Sequence, residues 1–190
     1  MSLLTESNVR ARAQRVTKLY NAASVLTERV RKQTGLAQYD IFLSHAYDDK
    51  ELVLGVALTI EDLGYSVYLD WRDDPALDRN NITTQTAEKL RAHMKSSRCL
   101  FYSTTEHSSE SKWMPWELGY KDGQNTRVAI LPVSRTATEI YLGHQYLGLY
   151  PYVVKENDKE QKERLWIQRT RSCYISFEAW LDGKEPKDRI

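Results

Sequence analysis

Apolar positions near the start of the chain recur every seven residues, at Val9, Val16, Ala23 and Val30, with Leu19 and Leu26 between them. That spacing draws one apolar stripe along a helix. Ser7 or Asn8 is the expected cap and Gly35 the expected stop. The opposite face is basic. Three uses fit such a helix. It lays its stripe on the rest of the chain, pairs with a second copy, or offers its basic face to phosphates or lipid headgroups.

From Tyr39 the pattern changes. YDIFLS is a short apolar run rich in β formers, so it reads as a buried strand. In DDKELVLGVALTIEDLGY, Leu52, Val56, Ile60 and Leu63 sit at helical spacing, and Gly64 fits just past the end. SVYLDW reads as a second strand and RDDPALDRNNIT as a polar loop containing Pro75. TQTAEKLRAHMKSS reads as a helix with Ala87, Leu90 and Met94 on one side. CLFYS is a third strand, TTEHSSES a loop, and WMPWELGYKDG a helix closing at Gly123. RVAILPV is a fourth strand and YPYVV a short fifth. Beyond them lie a charged segment, NDKEQKER, an aromatic stretch, YISFEAWL, that suits a terminal helix, and GKEPKDRI, which should fray.

Strand–helix alternation predicts an α/β fold, a parallel sheet with helices on both faces. Ligands gather at the carboxyl ends of such strands. Here those ends carry Ser44, His45, Ala46 and Tyr47, then Asp70, Trp71 and Arg72, then Ser103 and Thr104. The helix with Trp113 and Glu117 begins just beyond the third.

Composition narrows the class. With 190 residues and 41% apolar content, one domain plus an appendage is expected. Lys and Arg number 27 against 26 Asp and Glu, a formal charge of +1, which gives no support for a nucleic-acid or membrane protein as a whole. Charge is uneven: residues 1–36 hold seven basic residues against Glu6 and Glu28, a net +5, leaving −4 elsewhere. The composition break near Gly35 separates an N-terminal basic amphipathic helix (1–36) from a main domain. Cys99 and Cys173 make neither a disulfide framework nor a zinc spacing, and no apolar run is long enough to span a membrane. A soluble protein of the reducing cytoplasm is expected.

Pro115 is tolerated only in a first helical turn. The helix should therefore start near Lys112 or Trp113, with Glu117 close to its positive end, which favours an ionised carboxylate unless burial opposes it. Trp113 and Glu117 are four apart and share a face. Two readings fit: the indoles pack on the sheet while Glu117 pairs with a surface Arg, or they wall a sugar site in which Glu117 acts. Other chemistry lacks its pattern. No G-x-G-x-x-G follows the first strand, no GK[ST] loop exists, and His45, His93, His107 and His144 have no metal spacing. Asp48 and Asp49 are placed as in a phosphorylated receiver domain, but strand three should then end in an acceptor Asp and instead reads CLFYSTT.

The order YDIFLSHAYDDK, SVYLDW, a loop with Asp, Pro and Leu, then SKWMPWELGY resembles the Toll/interleukin-1 receptor (TIR) domain, and more narrowly the bacterial and plant members that cleave NAD. The resemblance covers residues 38–181 and leaves 182–190 as a tail. Its discriminating part is S-x-W-x-x-x-E, here Ser111, Trp113 and Glu117. It implies a flavodoxin-like fold with a mainly parallel five-stranded sheet and an extra N-terminal helix. It implies Glu117 as the catalytic residue, with Ser44, His45, Ala46, Tyr47, Asp70, Trp71 and Trp113 lining the substrate site, no metal, and NAD+ as substrate rather than cofactor. The implied products are nicotinamide with ADP-ribose or a cyclic ADP-ribose. The implied setting is antiviral defence of the Thoeris type, with self-association through TIR domains and a downstream effector that reads the cyclic product. Two alternatives are a non-catalytic adaptor acting through TIR–TIR contacts, and an N-glycosidase or transferase acting on another nucleoside or nucleotide. The family's loop after strand two carries a Gly; here DDPALDRNNIT has none, so Asn80 or Asn81 is expected to supply the unusual backbone angle.

Overall fold

A computed structural model describes residues 1–19, 38–46, 50–75, 77, 79, 81–104, 111–138, 140–141, 143 and 145–189. The expected N-terminal helix falls within them only as α1 (Glu6–Leu19), and Tyr47 and Asn80 lie outside them. The elements are β1 (Leu4–Thr5), α1, β2 (Tyr39–Ser44), α2 (Lys50–Glu61), β3 (Val67–Tyr68), α3 (Asp70–Asp73), α4 (Thr84–Lys95), β4 (Ser97–Thr104), α5 (Trp113–Asn125), β5 (Val128–Ser134), a 3-10 turn (Gln145–Leu149), β6 (Tyr152–Asn157), β7 (Glu163–Gln168), β8 (Cys173–Ser176), α6 (Phe177–Leu181) and β9 (Lys187–Asp188).

The sheet runs β3-β2-β4-β5-β6-β7-β8-β9. Its first five strands are parallel, as the alternation predicts. Successive β2 side chains point to opposite faces. Ile41 and Leu43 join Leu52, Val56 and Ile60 of α2 in one buried cluster, while Phe42 joins Leu90 and Met94 of α4 and Met114 and Leu118 of α5 in another. Ser44, two beyond Phe42, therefore points to the α5 side.

Three expectations change. SVYLDW is a strand only at Val67–Tyr68, because Asp70 and Asp73 turn the chain into α3: the Trp71 N–H donates to Asp70 Oδ1 at 2.6 Å and the Leu69 N–H to Asp73 Oδ2 at 2.7 Å. α5 runs past Gly123 to Asn125 and ends on Thr126 in the left-handed region (φ 55°), held by the Asn125 side chain on the Arg98 carbonyl at 3.0 Å. A helical Gly costs only about 1 kcal/mol, which such contacts outweigh. Downstream of β6, the chain does not stay irregular. NDKEQKER is the tip of the antiparallel β6–β7 hairpin, YISFEAWL divides into β8 and α6 at the capping Ser176, and the stretch expected to fray holds β9 against β8.

The N-terminal segment lies on the main body. β1 pairs parallel with β5, and Leu3, Leu4, Val9 and Ala13 are buried. α1 crosses α2 so closely that a methyl on Gly55 would fall 1.9 Å from the Val9 carbonyl oxygen. Arg12 donates to Asp62 at 2.5 and 2.8 Å, and Gln14 to Glu51 at 2.9 Å. Among the described residues no helix is long and apolar enough to cross a membrane.

Candidate active site

α5 starts where its proline predicts, with Pro115 in the first turn and the Ser111 hydroxyl accepting the Met114 N–H at 3.2 Å. Glu117 is on the second turn, facing the sheet. Four residues on, Lys121 is buried and its ammonium donates to the carbonyls of Met94 (2.8 Å) and Ser97 (2.5 Å), tying α5 to the end of α4. Burial pushes that ammonium down to about 8. The helix bearing Glu117 is thus fixed against its neighbour.

The Glu117 side chain is wholly shielded from solvent. Its Oε2 accepts the Ser44 hydroxyl at 2.6 Å, and its Oε1 accepts from Arg79 Nη2. Arg79, 9% exposed, also forms an ion pair with Asp70, Nη1 to Oδ2, at 2.7 Å. The other Asp70 oxygen lies 3.3 Å from His45 Nε2. His45 Nδ1 is 2.8 Å from the Leu43 carbonyl oxygen, which can only accept, so that nitrogen carries a proton. One chain of contacts thus joins the ends of β2 and β3 to α5: Ser44, Glu117, Arg79, Asp70, His45.

The electrostatics follow from desolvation set against these partners. Burial raises the Glu117 carboxyl above its ordinary value, against the pull of Arg79 and Ser44. The helix end alone predicted an ionised acid; burial opposes it. For Asp70, burial also works upward, but His45, Arg79 and the Trp71 N–H outweigh it and hold the carboxyl well below the usual range. The two carboxylates flanking one guanidinium are therefore pushed apart. Burial works to lower the Arg79 guanidinium, and Glu117 and Asp70 more than reverse that.

Of the residues named from sequence, Ser44, His45, Asp70 and Glu117 come together. Ala46 is buried beside them in the α4–α5 cluster. Trp113 is buried, with its ring edge-on to Trp116 at 5.4 Å, and its indole N–H donates to the Arg79 carbonyl at 2.7 Å. It holds the backbone of the loop after β3. Trp71 is not brought to Glu117: its indole packs against Ala13, Leu54 and Leu58, at the α1–α2 contact. Asn81 does not supply a left-handed angle; the described non-glycine residues with positive φ, Thr126, Gln145 and Gln161, all lie outside that loop.

Two participants went unnamed in the sequence. Tyr102 of β4 lies opposite Ser44, and burial and the Tyr146 hydroxyl, with a smaller contribution from the Glu117 charge, push its phenol up. Arg79 is the other. Its available signal was chemical rather than periodic: a buried acid needs a cation, and the adjacent polar loop holds only Arg72 and Arg79. Arg72 serves Glu61 at 2.6 Å and Asp73 at 3.0 Å. A desolvated carboxylate held in place at a sheet's ligand edge is suited to stabilising positive charge on a bound molecule.

Residues 41–169 match the TIR domain family. A protein of Bacillus cereus (strain MSX-D12), the probable 3′ cyclic ADP-D-ribose synthase ThsB′, is 40% identical over 190 residues, covering 95% of this chain and 98% of that relative. The putative cyclic ADP-D-ribose synthase TIR2 of Cytobacillus dafuensis is 31% identical over 83 residues, 43% of this chain and 22% of that protein. The family match begins in β2 and ends just past β7, so it encloses Ser44, Asp70, Arg79 and Glu117 together, and the chain belongs to the TIR domain family.

Proposed function

We propose that this protein cleaves the nicotinamide–ribose bond of NAD+, releasing nicotinamide and forming a cyclic ADP-ribose signal or ADP-ribose. The observation that carries the reading is the desolvated Glu117, the acid of the S-x-W-x-x-x-E pattern, held by Ser44 at the ends of the parallel strands. The full-length likeness to a relative named as a cyclic ADP-ribose synthase supports it.

The chemistry accounts for a single acid. Glycosidases pair two carboxyl groups because their leaving oxygen needs a proton. In NAD+ the leaving group is a pyridinium, which departs with the bonding electrons as neutral nicotinamide. Positive charge then develops on the ribose, and an ionised Glu117 beside the ribose hydroxyls stabilises it chiefly in the transition state. Ser44 fixes the rotation of the carboxylate through Oε2. Water adding to the cation and losing a proton gives ADP-ribose; a hydroxyl or ring nitrogen of the same molecule closes the cycle. A cyclic product that a second protein reads fits antiviral signalling of the Thoeris type in the cytoplasm, with activity gated by assembly through TIR contacts.

The test is Glu117→Gln, which keeps the shape and removes the charge. Nicotinamide release from NAD+, followed by chromatography and mass spectrometry, should fall by about 100-fold or more. Wild-type turnover in that variant, with an unchanged melting profile, rejects the reading.

A further inference from the structure

Both oxygens of Glu117 are already taken. Ser44 holds Oε2, Arg79 holds Oε1, and the side chain is closed to solvent. Each oxygen keeps a second lone pair, but the side chain is wholly shielded, and on the Oε1 side the group that stands in the way of a ribose hydroxyl is the Arg79 guanidinium. Ser44 is the better anchored of the two: its backbone ends β2, pairs in register with Tyr102 of β4, and is fully buried. Arg79 belongs to neither α3 nor α4 and reaches Glu117 through a long side chain.

We propose that Arg79 is a resident cation that occupies the Glu117 subsite in place of the positively charged end of the substrate, and that yields the subsite only to a ligand carrying a positive charge of its own. This rests on the function proposed above. Two buried carboxylates, Glu117 and Asp70, share the one guanidinium. Moving it off Glu117 with nothing in exchange leaves that carboxylate without its cation in a desolvated place. A pyridinium–ribose entering as Arg79 leaves replaces one planar cation by another beside Glu117, while Arg79 stays with Asp70, so each carboxylate keeps a cation. NADH has the same outline, but its dihydropyridine ring is neutral and offers no such exchange. Arg79 is thus a specificity-determining residue that favours the oxidised dinucleotide before any bond is broken. Asp70, paired with Arg79 through its own Oδ2, keeps the guanidinium nearby once it has left Glu117.

The experiment measures binding rather than turnover. Calorimetry with the non-cleavable carbocyclic NAD+ analogue compares wild type with Arg79→Gln and Arg79→Lys. If the competent, Arg79-withdrawn form is about a tenth of the wild-type population, Arg79→Gln binds the analogue about tenfold tighter at a pH where Glu117 is ionised in both proteins. Arg79→Lys, which keeps the cation, stays near wild type, and wild type binds NADH at least about tenfold more weakly than the analogue. Equal or weaker analogue binding by Arg79→Gln, or NADH binding as tightly as the analogue to wild type, overturns the proposal. Should Arg79→Gln fail to fold, a structure of wild type with the analogue decides. The Arg79–Glu117 pair broken over bound ligand supports the proposal; the pair intact, or no binding, overturns it. Nicotinamide release by wild type against Glu117→Gln is scored separately, so a failed function and a failed role for Arg79 give different results.

Discussion

Two sets of ion pairs sit in one sheet and follow different rules. At the ends of the parallel strands, Glu117, Asp70 and Arg79 are almost wholly shut from water. Around the antiparallel flank, Lys155 meets Glu163 at 2.8 Å with side chains 27% and 55% exposed, and Arg127 meets Glu185 at 2.5 Å with 16% and 54% exposed. Exposed pairs of the second kind contribute at most about 1 kcal/mol. Pairs of the first kind carry a desolvation cost of several kcal/mol per ion, which their mutual attraction repays only when every partner is present. Stability alone gives no reason to keep two acids in a place where apolar side chains would pack as well. Burial alone does not mark a site, since Arg72 with Glu61 and Asp73 is shut from water too. What sets Glu117 and Asp70 apart is their place at the strand ends, where the chemistry proposed on a positively charged sugar needs an acid.

The largest break in that comparison is Arg79→Ala. It leaves Glu117 and Asp70 buried without their shared cation, and stability at neutral pH should fall by about 3–5 kcal/mol in denaturant titration. The loss has a pH signature. Without the guanidinium the Glu117 carboxyl, already raised by burial, rises further. The folded state then holds a proton that the unfolded chain releases, and stability from a raised group is present at low pH and lost as pH climbs through the raised value. The deficit should therefore be smaller near about pH 5 than near about pH 8. In wild type the same direction governs catalysis. In the proposed function the ionised acid is the active form, so kcat/KM should fall as pH drops through a midpoint above the ordinary glutamate value of 4.5. An acid limb at or below that value would show that Glu117 is not the group being titrated.

Gly55→Ala should come next, and it breaks packing without touching charge. Ala is the better helix former by about 1 kcal/mol. Against that, its methyl must fit where the Val9 carbonyl oxygen already lies, 1.9 Å away, and that oxygen is backbone. Overpacking of this kind costs about 1–3 kcal/mol, so the clash wins and α1 lifts from α2. Trp71, which packs against Ala13, Leu54 and Leu58, should report it as a change in tryptophan fluorescence alongside a lowered melting temperature. A more stable variant with unchanged fluorescence would mean that α1 does not hold this close approach in solution.

What the sequence disclosed follows the same division. β2, β4 and β5 are buried on both faces, so they appear as apolar runs bounded by polar residues. β7 is less completely buried: Leu165 and Ile167 are inside, Arg164 and Trp166 alternate with them and are half-buried, and a hairpin tip full of charge precedes it. Its half-polar alternation dissolved into the charged stretch NDKEQKER. YISFEAWL was read as one helix because nothing local announces that Ser176 ends a strand and caps a turn of helix. In the site, the positions of Ser44, His45 and Asp70 were legible because strand ends fix them along the chain, and that of Glu117 because a proline marks a first helical turn; a role for Glu117 was implied only by the resemblance carried by S-x-W-x-x-x-E. Arg79 was not, because a loop arginine has no period, and its burial depends on two carboxylates brought from distant segments. Trp71 was placed at the rim correctly along the chain, but its ring turns to the α1 side, a choice made by packing with Ala13 that no local rule contains.

The smallest expected effect is on the flank. Lys155→Ala removes the ammonium that meets Glu163 but leaves the backbone of residue 155 free to keep its hydrogen bonds with Ser2, N–H to carbonyl at 2.9 Å and carbonyl to N–H at 3.1 Å. Both side chains reach water, so neither is stranded when its partner is lost. Stability should change by no more than about 1 kcal/mol, and by less still as added salt screens the pair. Nicotinamide release should be unchanged, since β6 and β7 lie on the far side of β5 from Glu117. Were Lys155→Ala instead to cost as much as Arg79→Ala, exposure would not separate the two sets of charges, and the cost assigned to leaving Glu117 and Asp70 without their cation would fall with it.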